Sequence, residues 1–452
     1  MIRCPVFVPF FPVNIRCHKE VNDPKCEREE RNMGAFDQVI GYEPIKEEMM
    51  QVCDMIRNPE VYRKMGAILP RGMILYGEPG LGKTLMAKAF IRESGLPVIT
   101  VRKSKGKDDV LERIEKAFKD AVKQAPVIVF LDDMDKFANE DHNHCDADEY
   151  VAIQAGIDDV KDKKVFVLAT ANEFNKLPRS LRRCGRFDRQ IEFSSPNAED
   201  ARKIMEFYLR DKKVDPSINM EDLSKMLDCD SCAVLETVLN EAAIYAAYAR
   251  KETVCMPDLI RAVMRKAYES PETYRKMTEE EVRKAALHEA GHAVICEVLM
   301  PGGVGMVSVR AEGENPGGIM HRCNESITSL QAILIALGGK AATEMYYAGM
   351  PAEGCSSDIK KAYQIILKNL DEDAALGFSL TDIEPCGYDS LSQFQRTKME
   401  TAVQTELERH LLKAKGILQQ YSDFLEKLTE ELMQKETLLY SDVQRIKAEC
   451  NH

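Results

Sequence analysis

The chain has 452 residues, more than one domain normally holds, so we expect two or three domains. Hydrophobic residues make up 44% and charged residues 30%, as in ordinary soluble globular proteins. A net charge of −12 and a pI near 5.4 argue against nucleic acid as a partner. Fourteen scattered cysteines without a preceding signal peptide predict reduced thiols rather than a disulfide framework.

The first 35 residues form a predicted N-terminal extension. Its apolar run PVFVPFFPV is short and contains Pro5, Pro9 and Pro12, which excludes a spanning helix. No other apolar run approaches the roughly 20 residues needed to cross a bilayer. We therefore expect a soluble, cytoplasmic chain without a transmembrane segment, and peripheral membrane association is left open.

A glycine-rich turn follows the first apolar strand. The run ILYGEPGLGKTLMAKAF over 74–90 reads as strand, loop and helix, and it contains G-x-x-x-x-G-K-[ST]. Such glycines let backbone N–H groups surround phosphates at a helix N-terminus. Lys83 is predicted to reach the β- and γ-phosphates and Thr84 to ligate Mg²⁺. The predicted nucleotide-binding residues of this loop are Gly77, Glu78, Pro79, Gly80, Leu81, Gly82, Lys83 and Thr84.

A second buried strand, in PVIVFLDDMDKF over 126–137, ends in carboxylates. Asp132 is predicted to hold magnesium through water, and Asp133 to polarise the attacking water, a position usually held by glutamate. The shorter aspartate sets the carboxylate back by about 1.5 Å, and errors of ~1 Å impair such positioning. We expect firm nucleotide binding and weaker hydrolysis. A third strand over 165–172 ends in Asn172, which could contact the γ-phosphate or the water.

The run LRRCGRFDRQIEF over 181–193 would by itself read as a solvated loop. After the three preceding segments it predicts arginine fingers, Arg183 and Arg186, that reach the γ-phosphate of a neighbouring subunit and so imply a ring. Strands alternating with helices indicate a parallel, helix-covered sheet over 36–194. Helical spacing of apolar residues over 195–268 predicts a lid above the nucleotide site.

The stretch AALHEAGHAVI contains the residues of a second predicted site, which would bind a metal. Thr278 and Glu281 form a predicted capping box that begins a helix. On that helix His288 and His292 are four residues apart, so both can present a ring nitrogen to one Zn²⁺. Glu289 is placed beside the metal as general base for its water, whose pKa zinc lowers to about 7.

Such a site requires a third protein ligand and leaves one position for water. No third histidine follows at the metzincin spacing. The candidates downstream are His321, His410 and the carboxylates over 353–366. Among the latter, Asp358 follows two serines at a predicted helix start, where carboxylates are also common caps. The residues alone leave this choice open.

The ordered motifs together resemble the AAA metalloproteases of the FtsH type. The resemblance runs from about residue 36 to 448. It rests on FDQVIGYEPIKEEM at 36–49, GEPGLGKT, FLDDMD, GRFDR, LNEAA at 239–243, HEAGH, GGKAATE at 338–344 and SSDIKKA at 356–362.

The resemblance implies an α/β P-loop AAA+ domain with a helical lid, then a linker over 269–280 and a mainly α-helical zinc metalloprotease domain over 281–448. It implies ATP-driven unfolding and degradation of polypeptides by a homohexamer that uses ATP, Mg²⁺ and Zn²⁺. It also implies roles for particular residues. These are zinc binding by His288, His292 and Asp358, a sensor at Asn172, and fingers at Arg183 and Arg186.

This chain departs from the family pattern in the motor half. The family usually carries transmembrane helices before the ATPase, and no run here predicts one. Asp133 replaces the usual glutamate. The family's gripping pore loop has an aromatic residue, whereas RKSKGK at 102–107 offers charge, either as a solvated turn or as a basic pore lining. In the lid, CAVL at 232–235 replaces G-A-D-L.

Three functions remain in competition on the sequence. The leading prediction is a soluble, hexameric, ATP-dependent zinc endopeptidase. The first alternative is a zinc peptidase whose weakly hydrolysing ATPase ring acts mainly as a scaffold, cleaving unstructured polypeptides. The second is a non-proteolytic chaperone or assembly factor, against which the intact HEAGH motif and Asp358 argue.

Overall fold

The computed structural model of this protein describes most of the chain from residue 34 onward. The predicted N-terminal extension lies outside it except for its last two residues, and so does most of the basic run at 102–107. The described residues are 34–103, 110–138, 147–183, 185–228, 231–270, 277–310, 318–323, 327–347, 355–371 and 393–450.

A five-stranded sheet forms the centre of the first half. Its strands are β1 (Gly72–Gly77), β2 (Val98–Val101), β3 (Val127–Leu131), β4 (Val165–Ala171) and β5 (Arg189–Phe193). Their order in the sheet is β2-β3-β4-β1-β5, and every neighbouring pair is parallel. The two strands between residues 127 and 171 are buried along their whole length, as expected for continuous apolar runs in a parallel sheet.

Helices cover both faces of this sheet. The helix Val110–Gln124 shows how, because its buried residues Ile114, Ala117, Phe118 and Ala121 recur at helical spacing and face the strands. A separate apolar core lies under the opposite face. The helices are α1 (Glu43–Arg57), α2 (Pro59–Lys64), α3 (Lys83–Ser94), α4 (Val110–Gln124), α5 (Ala147–Asp159) and α6 (Arg179–Arg182), with 3₁₀ turns at Ala35–Gln38, Met134–Lys136 and Phe174–Lys176.

Four helices follow β5 over the range predicted for the lid, and these four helices together are called the lid. Three of them begin at a side-chain cap, where Asn197, Asn219 and Ser231 accept a backbone N–H of the first turn. Their apolar faces share one core. The helices are α7 (Ala198–Leu209), α8 (Met220–Met226), α9 (Cys232–Tyr248) and α10 (Met256–Lys266).

The second half is mainly helical. Its first helix begins at the reciprocal capping box of Thr278 and Glu281, which confirms the predicted start. That helix crosses the next at Gly291 and Gly338, where the two backbones touch. The helices are α11 (Glu279–Leu299), α12 (Ser329–Tyr346), α13 (Ser356–Asp371), α14 (Gln393–Gln420), α15 (Ser422–Lys435) and α16 (Tyr440–Glu449).

A small antiparallel sheet lies beside these helices. Its strands are β6 (Val304–Ser308), β7 (Ile319–Arg322) and β8 (Thr437–Leu439), with β6 in the middle. Side chains from all three strands, Met306, Ile319 and Leu439, join the apolar core of the lid. The lid therefore packs directly on the sheet of the second half.

A buried carboxylate also links the lid to the last helix. Asp222 of α8 is 4% exposed, and its two oxygens accept the backbone N–H and the hydroxyl of Ser441 at 2.8 and 2.7 Å. Because Ser441 lies in the first turn of α16, the lid supplies the N-terminal cap of a helix that belongs to the other half.

The predicted fold class is confirmed: a helix-covered parallel sheet is followed by the four helices of the lid and then by a mainly helical second half. Within the described ranges, no helix is both long enough and apolar enough to pass through a membrane. The cysteines of those ranges form no disulfide.

Candidate nucleotide and metal sites

The phosphate-binding loop joins the end of β1 to the start of α3. Gly77, Gly80 and Gly82 have φ values of 140°, 83° and 89°, a region that other residues rarely adopt. Lys83 is buried, and its ammonium donates to the carbonyls of Gly77 and Glu78 at 2.7 and 2.6 Å. Burial lowers the pKa of Lys83. The ammonium of Lys83 thus binds backbone carbonyls of the same loop that is predicted to bind phosphate.

The carboxyl ends of β3, β4 and β1 meet at one edge of the sheet, because β4 lies between the other two. The hydroxyls of Thr84 and Thr170 donate to the same oxygen of Asp132, at 3.1 and 3.0 Å. A threonine hydroxyl beside an aspartate, below a phosphate loop, is the ligand arrangement that Mg²⁺ takes in P-loop enzymes. The residues predicted to hold magnesium therefore fit it.

The second acidic residue, Asp133, has a left-handed backbone with φ of 53°. Its carboxylate lies 3.4 Å from the side-chain amide of Asn172, so the predicted catalytic acid and sensor are adjacent. The other oxygen of Asp133 is held by the ammonium of Lys136 at 2.5 Å. Lys136 is not among the residues predicted for this site, although the i, i+3 spacing of an acid and a base is a sequence signal for the pair.

The two predicted arginine fingers have different surroundings. Arg183 is exposed. Arg186 is 8% exposed, and its guanidinium binds the carboxylate of Asp158 at 2.8 Å and the carbonyl of Ser180 at 2.5 Å. The loop that carries both arginines is called the finger loop. In the single chain, Arg186 binds this loop to α5, whereas Arg183 is exposed to solvent.

In the second half, three side chains converge in the way a metal requires. His288 and His292 of α11 and Asp358 of α13 each offer one ligand atom, and these atoms lie within 4.8 Å of one another. The two Nε2 atoms are 3.1 Å apart, and the Asp358 oxygen lies 3.1 and 3.4 Å from them. Ligand atoms about 2.1 Å from a tetrahedral zinc are about 3.4 Å apart. The donor set and its spacing therefore fit zinc.

The electrostatics of this group also favour a cation. Burial by itself would lower the pKa of His288, but hydrogen bonds to Asp358 and Cys355 outweigh it and raise the pKa to about 10. Burial of Asp358 is likewise outweighed by its hydrogen bonds to His288 and His292, which hold the pKa of the carboxyl below its usual range. The pocket thus holds a carboxylate that attracts positive charge, as a metal site does.

The orientation of His292 is set by the neighbouring helix α12. Its Nδ1 lies 2.6 Å from the carbonyl oxygen of Ile335. Because a carbonyl only accepts, Nδ1 carries the proton and Nε2 keeps its lone pair for the metal.

Glu289 lies between the two histidines along α11 and is only 5% exposed. Burial raises the pKa of its carboxyl, and the backbone of Gly318 at the entrance to β7 hydrogen-bonds to it. A Cβ at Gly318 would lie 2.2 Å from Cγ of Glu289, so the strand can approach this closely only at a glycine. This contact was not foreseen from the sequence, in which Gly318 is one glycine among many.

The other candidate ligands lie elsewhere. His321 is on β7, and its Nδ1 is 2.5 Å from the hydroxyl of Tyr268 at the end of the lid. His410 is buried in α14, with Nδ1 2.7 Å from the carbonyl of Glu406 in the same helix. Of the three alternatives that the sequence left open, the structure brings Asp358 to the histidines.

Comparison with known proteins gives two family matches in chain order. Residues 73–195 match the ATPase family associated with various cellular activities (AAA), and residues 275–446 match peptidase family M41. Together with the two sites, these matches define a P-loop domain of the AAA family followed by a domain of peptidase family M41.

Similarity to individual proteins over most of this chain extends this result. The chain is 30% identical over 442 residues to ATP-dependent zinc metalloprotease FtsH 2 of Symbiobacterium thermophilum, covering 91% of this chain and 74% of that protein. It is 30% identical to FtsH of Leptotrichia buccalis and 31% to FtsH of the Aster yellows witches'-broom phytoplasma, with 91% of this chain covered in each case. The chain spans 56% and 64% of the length of these two relatives. It belongs to the FtsH family of ATP-dependent zinc metalloproteases, whose cofactors are Zn²⁺, ATP and Mg²⁺.

Proposed function

We propose that this chain is an ATP-dependent zinc metalloendopeptidase, in which an ATPase ring delivers polypeptides to the HEAGH site. The observation that carries the proposal is the convergence of His288, His292 and Asp358 within 4.8 Å beside the buried carboxyl of Glu289. A non-proteolytic chaperone would have no need of this arrangement.

In the peptidase step, His288, His292 and Asp358 would hold the zinc. When bound, zinc supplies Lewis-acid polarisation of a carbonyl and acidifies its water. Glu289 accepts a proton from the attacking water and passes it to the nitrogen of the departing amine. Its burial suits this role, because a raised pKa brings the carboxyl closer to the pH at which proton transfer in both directions is efficient.

In the motor step, the backbone amides of the loop from Gly77 to Gly82 and the ammonium of Lys83 bind the phosphates of ATP. Thr84 and Asp132 hold magnesium, and Asp133 with Asn172 orients the attacking water. Lys83 exchanges its bonds to Gly77 and Glu78 for bonds to phosphate.

The proposed assembly is a homohexameric ring. It is supported by the finger loop, since an arginine that acts on a neighbour's γ-phosphate requires a neighbour. Arg183 is exposed and can reach out of the chain, whereas Arg186 must leave Asp158 to do so. The cytoplasmic location stays a prediction from the sequence.

The test compares an unfolded polypeptide with a stably folded one, each incubated with ATP and with a non-hydrolysable analogue in the presence of zinc. We expect the folded substrate to be degraded only with ATP. No cleavage of either substrate would reject the peptidase function.

The scaffold alternative is favoured by one observation, the 2.5 Å contact that engages Asp133 with Lys136. A carboxylate held by an ammonium is a poorer partner for water. Cleavage of the unfolded substrate alone, at equal rates with ATP and with the analogue, would establish this alternative.

Glu289→Gln tests the assigned base. We expect cleavage to be lost while zinc content and oligomeric state are retained, because glutamine keeps the shape of the side chain but cannot accept the proton. Glu280→Gln is the matched control, since Glu280 is exposed about two and a half turns earlier on the same helix. Residual cleavage in Glu289→Gln would refute the role.

A further inference from the structure

The two zinc-binding imidazoles differ in what holds the nitrogen that faces away from the metal. Nδ1 of His292 donates to the carbonyl of Ile335 at 2.6 Å. The partner recorded for Nδ1 of His288, among the described residues, is a sulfur: Sγ of Cys355 lies 3.7 Å away. Metal-binding histidines as a rule have this second nitrogen fixed, and the partner sets both tautomer and ring orientation.

Cys355 is buried and is held beside His288 by its place in the fold. Cys355 is 1% exposed and immediately precedes α13, the helix whose first turn carries Asp358. Cys355 and Asp358 therefore contact opposite edges of one imidazole: the sulfur faces Nδ1 and the carboxylate faces Nε2 at 3.1 Å. One helix start supplies both a metal ligand and the partner of another ligand.

The ring of His288 has little other freedom. It packs against the backbone of α12 at Gly339, where an added Cβ would lie 2.4 to 2.6 Å from three of its ring atoms. Gly339 thus fixes the plane of the ring, while a half-turn about the Cβ–Cγ bond would exchange Nδ1 with Cδ2 and Nε2 with Cε1. The sulfur at Nδ1 opposes this rotation together with the carboxylate of Asp358 at Nε2.

We propose that Cys355 is a positioning residue of the zinc site, which accepts the Nδ1–H of His288 and thereby directs Nε2 at the metal. The inference rests on the proposed zinc function and extends it to a residue that binds no metal itself. Sulfur is a weak acceptor, so the contact acts through orientation and packing together rather than through a strong hydrogen bond.

The experiment measures zinc affinity rather than proteolysis. Full-length wild type, Cys355→Ala and Cys355→Ser are stripped of metal, and zinc uptake is followed by competition with a chromophoric chelator at fixed pH. We expect Cys355→Ala to bind zinc roughly 10- to 100-fold more weakly, the effect typical of losing such a partner. Cys355→Ser keeps an acceptor and is expected to recover most of the affinity.

Two controls separate orientation from general loss of packing. Cys53→Ala removes a buried thiol from α1 in the other half, 2% exposed, and is expected to leave zinc affinity unchanged. Thermal unfolding of each metal-free variant shows whether the fold is intact. Recovery by serine at equal stability supports positioning, since a purely space-filling role would be served no better by serine than by alanine.

Each result decides the proposal. Wild-type affinity in a folded Cys355→Ala would overturn the positioning role while leaving the zinc site in place. Replacement of zinc by cobalt provides a second test. A sulfur-to-cobalt charge-transfer band in the wild type would show that Cys355 is a direct metal ligand and would overturn the positioning role. Wild type that binds no zinc would overturn both this inference and the proposed function.

Discussion

The crossing of α11 and α12 allows a sharp test of the structure, because it places a backbone contact next to a zinc ligand. Gly338 of α12 lies against Gly291 of α11, one residue before His292. A Cβ at Gly338 would be 2.6 Å from the carbonyl oxygen of Gly291 and 3.0 Å from Cα of His292. The perturbation is therefore Gly338→Ala, a single added methyl group.

The magnitude follows from these distances. Ordinary van der Waals contact of a Cβ begins at 3.4 Å, so the helices must separate by about 0.8 Å (3.4 − 2.6) at the crossing. Overpacking of this kind costs about 1–3 kcal/mol. Alanine is better than glycine in a helix by about 0.5–1 kcal/mol, which partly offsets the cost. Because His292 moves with Gly291, zinc affinity should fall as well.

Gly416→Ala provides the matched control. Gly416 is also in the interior of a helix, α14, but a Cβ there meets nothing within 4 Å. This variant gains the helical preference of alanine without a clash, so it should be stabilised by about 0.5–1 kcal/mol. The difference between the two variants isolates the overpacking at the crossing.

Differential scanning calorimetry is the suitable assay, since a multidomain chain need not unfold in one step. The transition whose midpoint temperature rises with added zinc belongs to the peptidase half. The transition whose midpoint temperature rises with nucleotide belongs to the ATPase half. We expect Gly338→Ala to lower the zinc-dependent transition and leave the other unchanged. If Gly338→Ala proves as stable as Gly416→Ala and binds zinc normally, the backbone contact between α11 and α12 is wrong.

Two further predictions concern the motor and the lid. Asp133→Glu should raise ATP turnover, up to about 10²-fold, because the added methylene restores the reach of the carboxylate toward the attacking water; an unchanged steady-state rate would contradict the role given to Asp133. Asp222→Ala should destabilise the peptidase transition by about 1–2 kcal/mol, since the cap on Ser441 is lost. Asp211→Ala, at an exposed site, is its control in the same calorimetric experiment, and an equal effect of both changes would refute the capping role.

The parts of the sites that depend on local pattern were accessible from the sequence. The α/β class follows from buried strands that alternate with helices, and the helix start at Thr278 follows from its capping box. Four-residue spacing is enough to place His288 and His292 on one face of a helix. Each of these inferences uses interactions within a few residues of the chain.

Contacts between distant segments were not accessible in this way. Asp358 is separated from His288 by 70 residues, and nothing in its own segment distinguishes a ligand from a helix cap. Arg186 reads as an exposed basic residue until the fold brings Asp158 to it from 28 positions away. The close approach of Gly318 to Glu289 likewise depends on the course of β7, which no local pattern specifies.

The lid contacts both the ATPase half and the peptidase half, whose sites lie far apart in the chain. At its first contact, the backbone N–H of Ala233 at the start of α9 donates to the carbonyl of Gly80 in the phosphate loop, at 3.1 Å. At the other, α8 packs on the sheet of the peptidase half so closely that a Cβ at Gly305 of β6 would lie 2.2 Å from the carbonyl of Lys225. Strand β6 pairs with β7, whose entrance contacts Glu289. A series of direct contacts therefore runs from the phosphate loop through the lid and strands β6 and β7 to the peptidase base.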